Sequence, residues 1–575
     1  MFKIRQVHDA VSPENQTALS AVVNIYQQAF SYYPEYAARI AQLLKFTSEQ
    51  EFDVILLVAE TRKKRIAGFA LSFYFARQHY AYLDYIVASP KRNARGYGAA
   101  LYEATCEYLL QRKCKGLFMD VPTDDEALLV NKSELAVNRR RLAFYERFGA
   151  RPIANTLYES TRTKANQGFF TYLVFDDLEL GKTPSRREAR DIVARILAAK
   201  ASIGADDPKL KLILDSIRDD PVQLRAPVYS KPAQLRPTTP QRTLEFVSTG
   251  DSNQIHHLRE KGYVERPARV HAILKGLAAV PVKEFKLKSF PEKHILAVHS
   301  PSLLAFLKQG EKQLESGQLL YPNVFPVRRP DRVPKSWESQ AGYFCIDTFT
   351  PVTANAYKAA RIAVNAAVTA AQRVARGSPL CYALCRPPGH HAETRAFGGF
   401  CYFNNAAVAA QYLSDHGKVA LLDIDHHHGN GSQDIFYRRS DVMTVSIHGH
   451  PRLCYPYFAG YRDEKGEGDG KGFNRNYPLY PGVDDNAYCE TLAQALKAIG
   501  RFGPDYLVLS LGFDIMAGDP TGTFNVTARG MYRIGRMLAD TGLPLLIVQE
   551  GGYSLRNLRM GAAEFFRGIV VESPA

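Results

Sequence analysis

The sequence predicts a mixed α/β protein of two domains, the larger built on a parallel sheet flanked by helices on both faces. Three observations predict it. From about Thr243 to the end, short apolar runs alternate with helical patterns, which argues for parallel strands joined by helical crossovers. Four polar clusters in that half each follow a predicted strand, where ligands collect in such sheets. The first 178 residues form a separate run of strands leading into a glycine turn and a helix. A chain of 575 residues also exceeds one ordinary core. The expected division is 1–178, a linker at 179–240, and 241–575.

In the first domain, Asp53–Glu60 and Arg65–Phe75 read as strands joined at the charged turn Thr61-Arg62-Lys63-Lys64. Tyr80–Ala88 is a third strand and leads into Arg95-Gly96-Tyr97-Gly98. A helix follows at Ala99–Gln111, then a strand (Gly116–Val121), a helix (Val137–Phe148) and a late strand (Gly168–Phe175). Glycines let successive N–H groups approach a pyrophosphate, and the helix N-terminus adds its dipole. The segment resembles the acetyl-CoA motif of GNAT superfamily N-acetyltransferases, and Ala143–Ala150 (AFYERFGA) resembles a second region of that family. The resemblance implies acetyl-CoA held at Arg95, Gly96, Tyr97 and Gly98, with Tyr145 as general acid toward the departing thiolate. Asn93 stands where the family usually carries Arg or Gln. A regulatory domain that senses acetyl-CoA without catalysis is the alternative.

Between the domains basic residues outnumber acidic ones. Ser185–Lys200 has an amphipathic pattern (Ile192, Val193, Ile196, Leu197), and Pro208–Arg218 reads as a short helix. Pro221, Pro227, Pro232, Pro237 and Pro240 then predict an extended tether.

In the second domain the expected strands are Leu380–Leu384, Val419–Leu422, Val442–Ile447, Tyr506–Leu511 and Leu545–Val548, with helices such as Ala354–Arg376 and Asn405–Leu413. The clusters after them are Arg386-Pro387-Pro388-Gly389-His390-His391, Leu422–Gln433 (LDIDHHHGNGSQ), Gly512-Phe513-Asp514 with Gly518-Asp519-Pro520, and Glu550-Gly551-Gly552-Tyr553. Side chains alternate along a strand, so continued extension would point Asp423, Asp425 and His427 one way and His426 the other. Gly429 and Gly431 are read as permitting a tight turn. Asp425, His427 and Asp514 suit a catalytic zinc with positions left for water and substrate, and Fe(II) or Co(II) would accept the same oxygen and nitrogen set. Such a metal acidifies water and polarises a carbonyl. His390 and His391 would handle protons, oriented by Asp423 and Asn430. Tyr553, on its Gly-Gly turn, would donate to an oxyanion. These parts specify metal-assisted amide hydrolysis without a covalent nucleophile.

RPPGHHA, GGFCYFNNAAVAA, LDIDHHHGNGSQDIFY, GFDIMAGDP and EGGY resemble the zinc-dependent superfamily of histone deacetylases and acetylpolyamine amidohydrolases. The resemblance implies an arginase/deacetylase-like fold and the roles above. It implies a structural K+ near Asp423, Asp425, His427, Ser446 and Ile447, and a narrow tunnel lined by Phe400 and Phe458. Phe325–Cys345 resembles the insertion that shapes a dimer interface and constricted cleft in bacterial acetylpolyamine amidohydrolases. Glu338 falls where that group places a carboxylate facing the cationic substrate, while Phe349 replaces a second acidic position. A homodimer is therefore a further expectation.

The formal charge of +15 is spread along the chain, with no long basic block and no nucleic-acid motif, so no nucleic-acid partner is expected. No apolar run approaches the roughly 20 residues that cross a bilayer, and the N-terminus lacks a signal-peptide core, so a cytoplasmic protein without membrane partners is expected. The eight scattered cysteines are read as reduced. The expected reaction is removal of acetyl groups from small acetylated amines, acetylpolyamines before acetyl-lysine proteins, fused to an N-acetyltransferase. The alternative is a protein acetyl-lysine deacetylase with an acetyl-CoA sensor.

Overall fold

The computed structural model of the chain describes residues 2–30, 34–44, 51–61, 64–88, 97–129, 132–158, 171–178, 180–201, 203, 204, 206–229, 243–258, 260 and 262–570. It divides into two compact units, Met1–Arg236 and Pro237–Ala575. Arg92, Asn93, Arg95, Gly96, residues 168–170 of the late strand, and Pro232, Pro237 and Pro240 lie outside the described residues. No helix among the described residues is long and apolar enough to cross a membrane.

The first unit is built on β1 (Phe2–Val7), β2 (Asp53–Thr61), β3 (Ile66–Phe75), β4 (Tyr80–Ala88), β5 (Gly116–Pro122), β6 (Arg151–Pro152) and β7 (Thr171–Asp176), in the order β1-β2-β3-β4-β5-β7-β6. All neighbours are antiparallel except β4 and β5. Their parallel pairing runs only from Tyr80 and Gly116 to Leu83 and Met119, although both strands continue, so the sheet forks there. One face packs on α3 (Tyr97–Gln111) and α4 (Leu135–Glu146) through Leu101, Tyr102, Leu109 and Leu142. The other carries α1 (Pro13–Ala29) and α2 (Pro34–Leu43), which the sequence patterns did not reveal.

The helices expected in the linker exist, at α5 (Arg186–Ala201) and α6 (Pro208–Ser216), and they pack on the first unit. Their apolar stripes bury Ile192, Val193, Ile196, Leu197, Leu210 and Ile213 in the first unit's core. The chain beyond stays attached: Arg225 pairs with Asp124 at 2.8 Å, and the Tyr229 hydroxyl donates to the same carboxylate at 2.6 Å. The amphipathic pattern of both helices is what docks them on that core.

The second unit holds a small antiparallel pair, β10 (Leu319–Leu320) with β11 (Val352–Thr353), and one eight-stranded sheet. Its strands are β8 (Leu244–Ser248), β9 (Val282–Glu284), β12 (Leu380–Leu384), β13 (Val419–Asp423), β14 (Val442–Gly449), β15 (Asn474–Leu479), β16 (Tyr506–Leu511) and β17 (Leu545–Gln549). Every pairing is parallel, in the order β15-β14-β13-β16-β17-β12-β8-β9. The central strands are buried on both faces, which is why they read as unbroken apolar runs. On one face Ala363, Ala366, Ala367, Ala370 and Ala371 of helix Ala356–Ala375 let it approach helix Asn405–Ser414 and the sheet. Helices Ala268–Leu277, Asp485–Phe502, Ala528–Ala539 and Leu555–Val570 cover the other. The carboxyl ends of β12, β13, β16 and β17 therefore open on one side, each followed by a polar cluster.

Candidate active site

Extension stops at Asp423, the last residue of β13, so the expected three-residue face does not form. Asp423 turns to His390 instead, and its Oδ2 lies 2.9 Å from His390 Nδ1. Beyond the strand end, Asp425 and His427 meet Asp514 from the end of β16. His427 Nδ1 is 3.2 Å from Asp425 Oδ1 and 3.2 Å from Asp514 Oδ2. Ligands about 2.0 Å from a tetrahedral ion stand roughly 3.3 Å apart, so the spacing fits a zinc-sized cation. The three residues are one of two groups among the described residues whose ligand atoms are close enough to share an ion. The other, His390, Cys401 and Glu550, is fully buried.

Main-chain groups fix the two acids. Asp425 Oδ2 accepts from Gly551 N at 2.8 Å, and Asp514 Oδ1 accepts from His426 N at 2.9 Å. Burial, then the like charge of Asp425, push Asp514 up to about 7. A cation between the carboxylates relieves that repulsion. The glycines serve close approach: a Cβ on Gly551 would lie 2.4 Å from Asp425 Oδ2, and one on Gly429 2.2 Å from Asp423 Oδ2. Gly429 and Gly431 both keep negative φ, so the tight-turn reading gives way to a steric one.

His390 and His391 sit side by side, ring centroids 4.0 Å apart, with unlike partners. Burial alone would lower His390, but the charges of Asp425 and Asp423 raise it to about 10. Burial, then the charges of His390 and His427, hold His391 well below its ordinary range. His391 Nδ1 faces the Asn430 side-chain oxygen at 2.7 Å. The loop carrying both histidines is pinned where Glu550 Oε2 accepts from Gly389 N and His390 N, at 2.6 and 3.0 Å.

Tyr553 is placed partly by Arg269 and Glu265, which the sequence patterns did not reveal. Arg269, fully buried, donates to the carbonyls of Gly552 and Glu550 and lies 4.7 Å over the Tyr553 ring. Glu265 joins Arg269 to Arg386, which donates to both Glu265 oxygens at 2.9 and 3.0 Å. Asp519 Oδ2 accepts from the main-chain N–H of Tyr553 at 2.7 Å and of Ser554 at 3.0 Å. Gly552, at φ +105°, supplies the turn. Phe400 stands edge-on to Tyr553 at 5.6 Å and is itself at φ +69°, a conformation costing a phenylalanine about 1–3 kcal/mol.

Tyr455, also missed, lies 4.7 Å from the His391 ring, its hydroxyl donating to Asp347 at 3.0 Å. Phe349 packs between Phe400 and Tyr455 and makes an aromatic wall there. Phe458 is 55% exposed. Glu338, in the first turn of Trp337–Phe344, is exposed and accepts from the Ser336 hydroxyl. The contacts that gather the cation cluster do not include it. Ser446 of β14 stands in register beside Asp423.

In the first unit, Tyr97 and Gly98 open α3, while Arg95 and Gly96 lie outside the described residues. Tyr145 is half-buried against Tyr102, centroids 5.6 Å apart, and burial pushes its hydroxyl up to about 12. At the sheet fork, Lys200 of α5 donates to Asp120 and to the Tyr82 hydroxyl, and Asp84 accepts from the Tyr36 hydroxyl at 2.7 Å.

Residues 263–569 match the family profile described as the histone deacetylase domain, and residues 19–150 that of the acetyltransferase (GNAT) family. Acetylpolyamine amidohydrolase 2 of Pseudomonas aeruginosa is 38% identical over 333 residues, 56% of this chain and 97% of that protein. The acetylpolyamine amidohydrolase of Burkholderia pseudomallei is 43% identical over 311 residues, 53% and 90% of the two chains. Histone deacetylase 15 of Arabidopsis thaliana is 34% identical over 325 residues, 55% and 54%. The crystal structure of the acetylpolyamine aminohydrolase from Burkholderia pseudomallei superposes with a TM-score of 0.53 at 39% identity, covering 56% of this chain and 98% of that one.

Proposed function

Since the chain belongs to the histone deacetylase domain family through residues 263–569, we propose that its C-terminal half is a zinc-dependent amidohydrolase releasing acetate from acetylated amines, acetylpolyamines before acetyl-lysine proteins. Its N-terminal half is then an acetyl-CoA-dependent N-acetyltransferase. The observation that carries the hydrolase reading is the meeting of Asp425, His427 and Asp514, with His427 Nδ1 3.2 Å from both acids.

Zinc, or Fe(II) or Co(II) in the same donor set, would be held by these three residues and would supply Lewis-acid polarisation of the amide carbonyl and an acidified water. His391, neutral and with its Nδ1 toward Asn430, takes the proton of the attacking water at Nε2 and returns it to the departing amine. His390, kept protonated against Asp423, contributes positive charge beside the reacting carbonyl. Tyr553, whose hydroxyl burial holds well above its ordinary range, stays protonated and donates to the carbonyl oxygen as charge develops. Phe400 and Phe458 line the path of the acylated chain. A structural K+ near Asp423, Asp425, His427, Ser446 and Ile447 completes the reading, supported by the register of Ser446 beside Asp423.

The polyamine preference is supported by relatives bearing that name and by Glu338, whose exposed carboxylate would attract a distal ammonium. The insertion around it exposes Phe325 (41%), Val327 (40%) and Val333 (42%), which fits burial against a second copy. Measured kcat/KM is expected to favour N-acetylputrescine over an acetyl-lysine peptide by about tenfold, equivalent to ~1.4 kcal/mol. A preference for the peptide overturns this choice in favour of protein deacetylation, the reading that the likeness to histone deacetylase 15 favours.

For the first unit, acetyl-CoA would be bound at Arg95, Gly96, Tyr97 and Gly98, with Tyr145 as acid toward the thiolate. Calorimetry is expected to show acetyl-CoA binding, and a free-thiol assay across amines to show release of CoA. Binding without thiol release identifies a sensor instead.

A further inference from the structure

A side-chain amide has a donor end and an acceptor end, and its neighbours alone decide which way it points. Asn430 Nδ2 donates to Glu393 Oε1 at 2.8 Å and to the His391 main-chain carbonyl at 3.3 Å. Its oxygen is thereby left 2.7 Å from His391 Nδ1. An acceptor in that place requires His391 to carry its proton on Nδ1, so that Nε2 offers a lone pair. Asp423, the partner of His390, has no donor end and needs no such help. Asn430 does need it, because a turned amide would place N–H against His391 Nδ1 and force the other tautomer.

We propose that Glu393 is a positioning residue for the hydrolysis, its carboxylate holding the Asn430 amide in the orientation that makes His391 a base at Nε2. This rests on the reading of His391 as the general base. Glu393 belongs to none of the strand-end clusters, yet it is half-buried and aimed at Asn430. Asp434 faces it from helix Asn430–Phe436, its carboxylate accepting from Thr394 N at 2.8 Å. His299 Nδ1 meets the main-chain carbonyl of Glu393 at 2.9 Å. Burial, then the charge of Asp434, push the Glu393 carboxyl up to about 7. A protonated carboxyl offers a hydrogen that the Asn430 oxygen can turn toward, so acid loosens the arrangement that ionised Glu393 enforces.

The test compares Glu393→Ala and Glu393→Gln in the full, metal-loaded chain. Kinetics on an acetylated diamine are read beside metal content and the 15N imidazole spectrum of histidine-labelled protein. Glu393→Ala is expected to lower kcat by about 10–100-fold with KM and bound metal little changed. Its spectrum is expected to show His391 moving toward the Nε2–H tautomer. Glutamine can accept the same Asn430 hydrogen bond, so Glu393→Gln is expected to restore most of the loss and to remove the inflection near neutral pH in the kcat profile. Wild-type kcat and tautomer in Glu393→Ala would overturn the assignment. So would equal losses in both variants with the inflection unmoved, which would mark a structural role. If the wild-type chain hydrolyses no acetylated amine, the hydrolase reading falls, while the tautomer spectrum still decides the role of Glu393.

Discussion

Stripping the metal with a chelator is expected to abolish amide hydrolysis, with zinc restoring it. Without a cation, the Asp425 and Asp514 carboxylates are left to share His427 Nδ1 at 3.2 Å and to accept from main-chain N–H groups such as those of Gly551 and His426. Losing Lewis-acid polarisation and the acidified water costs several kcal/mol, about a thousandfold or more in rate. The pH dependence has a definite sign. Burial, then Asp425, raise metal-free Asp514 from 3.8 to about 7, while hydrogen bonds to Asp425 and Asp514 raise His427 against its burial. Metal must displace those protons, so its apparent affinity falls with acid by about tenfold or more per pH unit below neutrality. An acid whose folded pKa lies above its unfolded one lowers the stability of the metal-free fold as pH rises between the two. Metal removes that penalty, so the Tm gain on adding zinc is expected to grow from about pH 5 to about pH 8. Equal gains at both values, or full turnover in chelator, would refute the assigned site.

Tyr553→Phe is expected to lower kcat by about 10²–10³-fold while KM and bound metal stay close to wild type. The substitution removes only the hydroxyl. The ring keeps its place because Arg269 holds the Gly552 carbonyl at 2.7 Å and stacks over the aromatic face, and Phe400 packs on its edge. What disappears is a donor needed most when the carbonyl oxygen becomes anionic, so the loss belongs in kcat. Unchanged turnover would remove Tyr553 from the reaction.

Much of this was legible from the sequence for physical reasons. Strands buried on both faces must be apolar throughout, so β12, β13, β14, β16 and β17 stood out. The polar residues after four of them could be read as one site because parallel strands deliver their carboxyl ends to the same side. Other parts depend on partners remote in sequence. Arg269 reads as an ordinary helical arginine until Gly552 and Glu265 are beside it, and Glu393 as a loop acid until Asn430 turns toward it. The edge strands β9 and β15, and β8 next to the edge, are short or polar, and α1 and α2 bury their apolar positions only against a sheet formed later in the chain. Helices α5 and α6 were legible as helices, but that they complete the first unit's core depends on a sheet remote in sequence.

The Arg386–Glu265–Arg269 chain ties the first helix of the second unit to loops that close only near its last one. Neither end of that half can hold a working centre without the other. Removing the segment that carries Glu265 and Arg269 is therefore expected to leave Tyr553 present but unplaced.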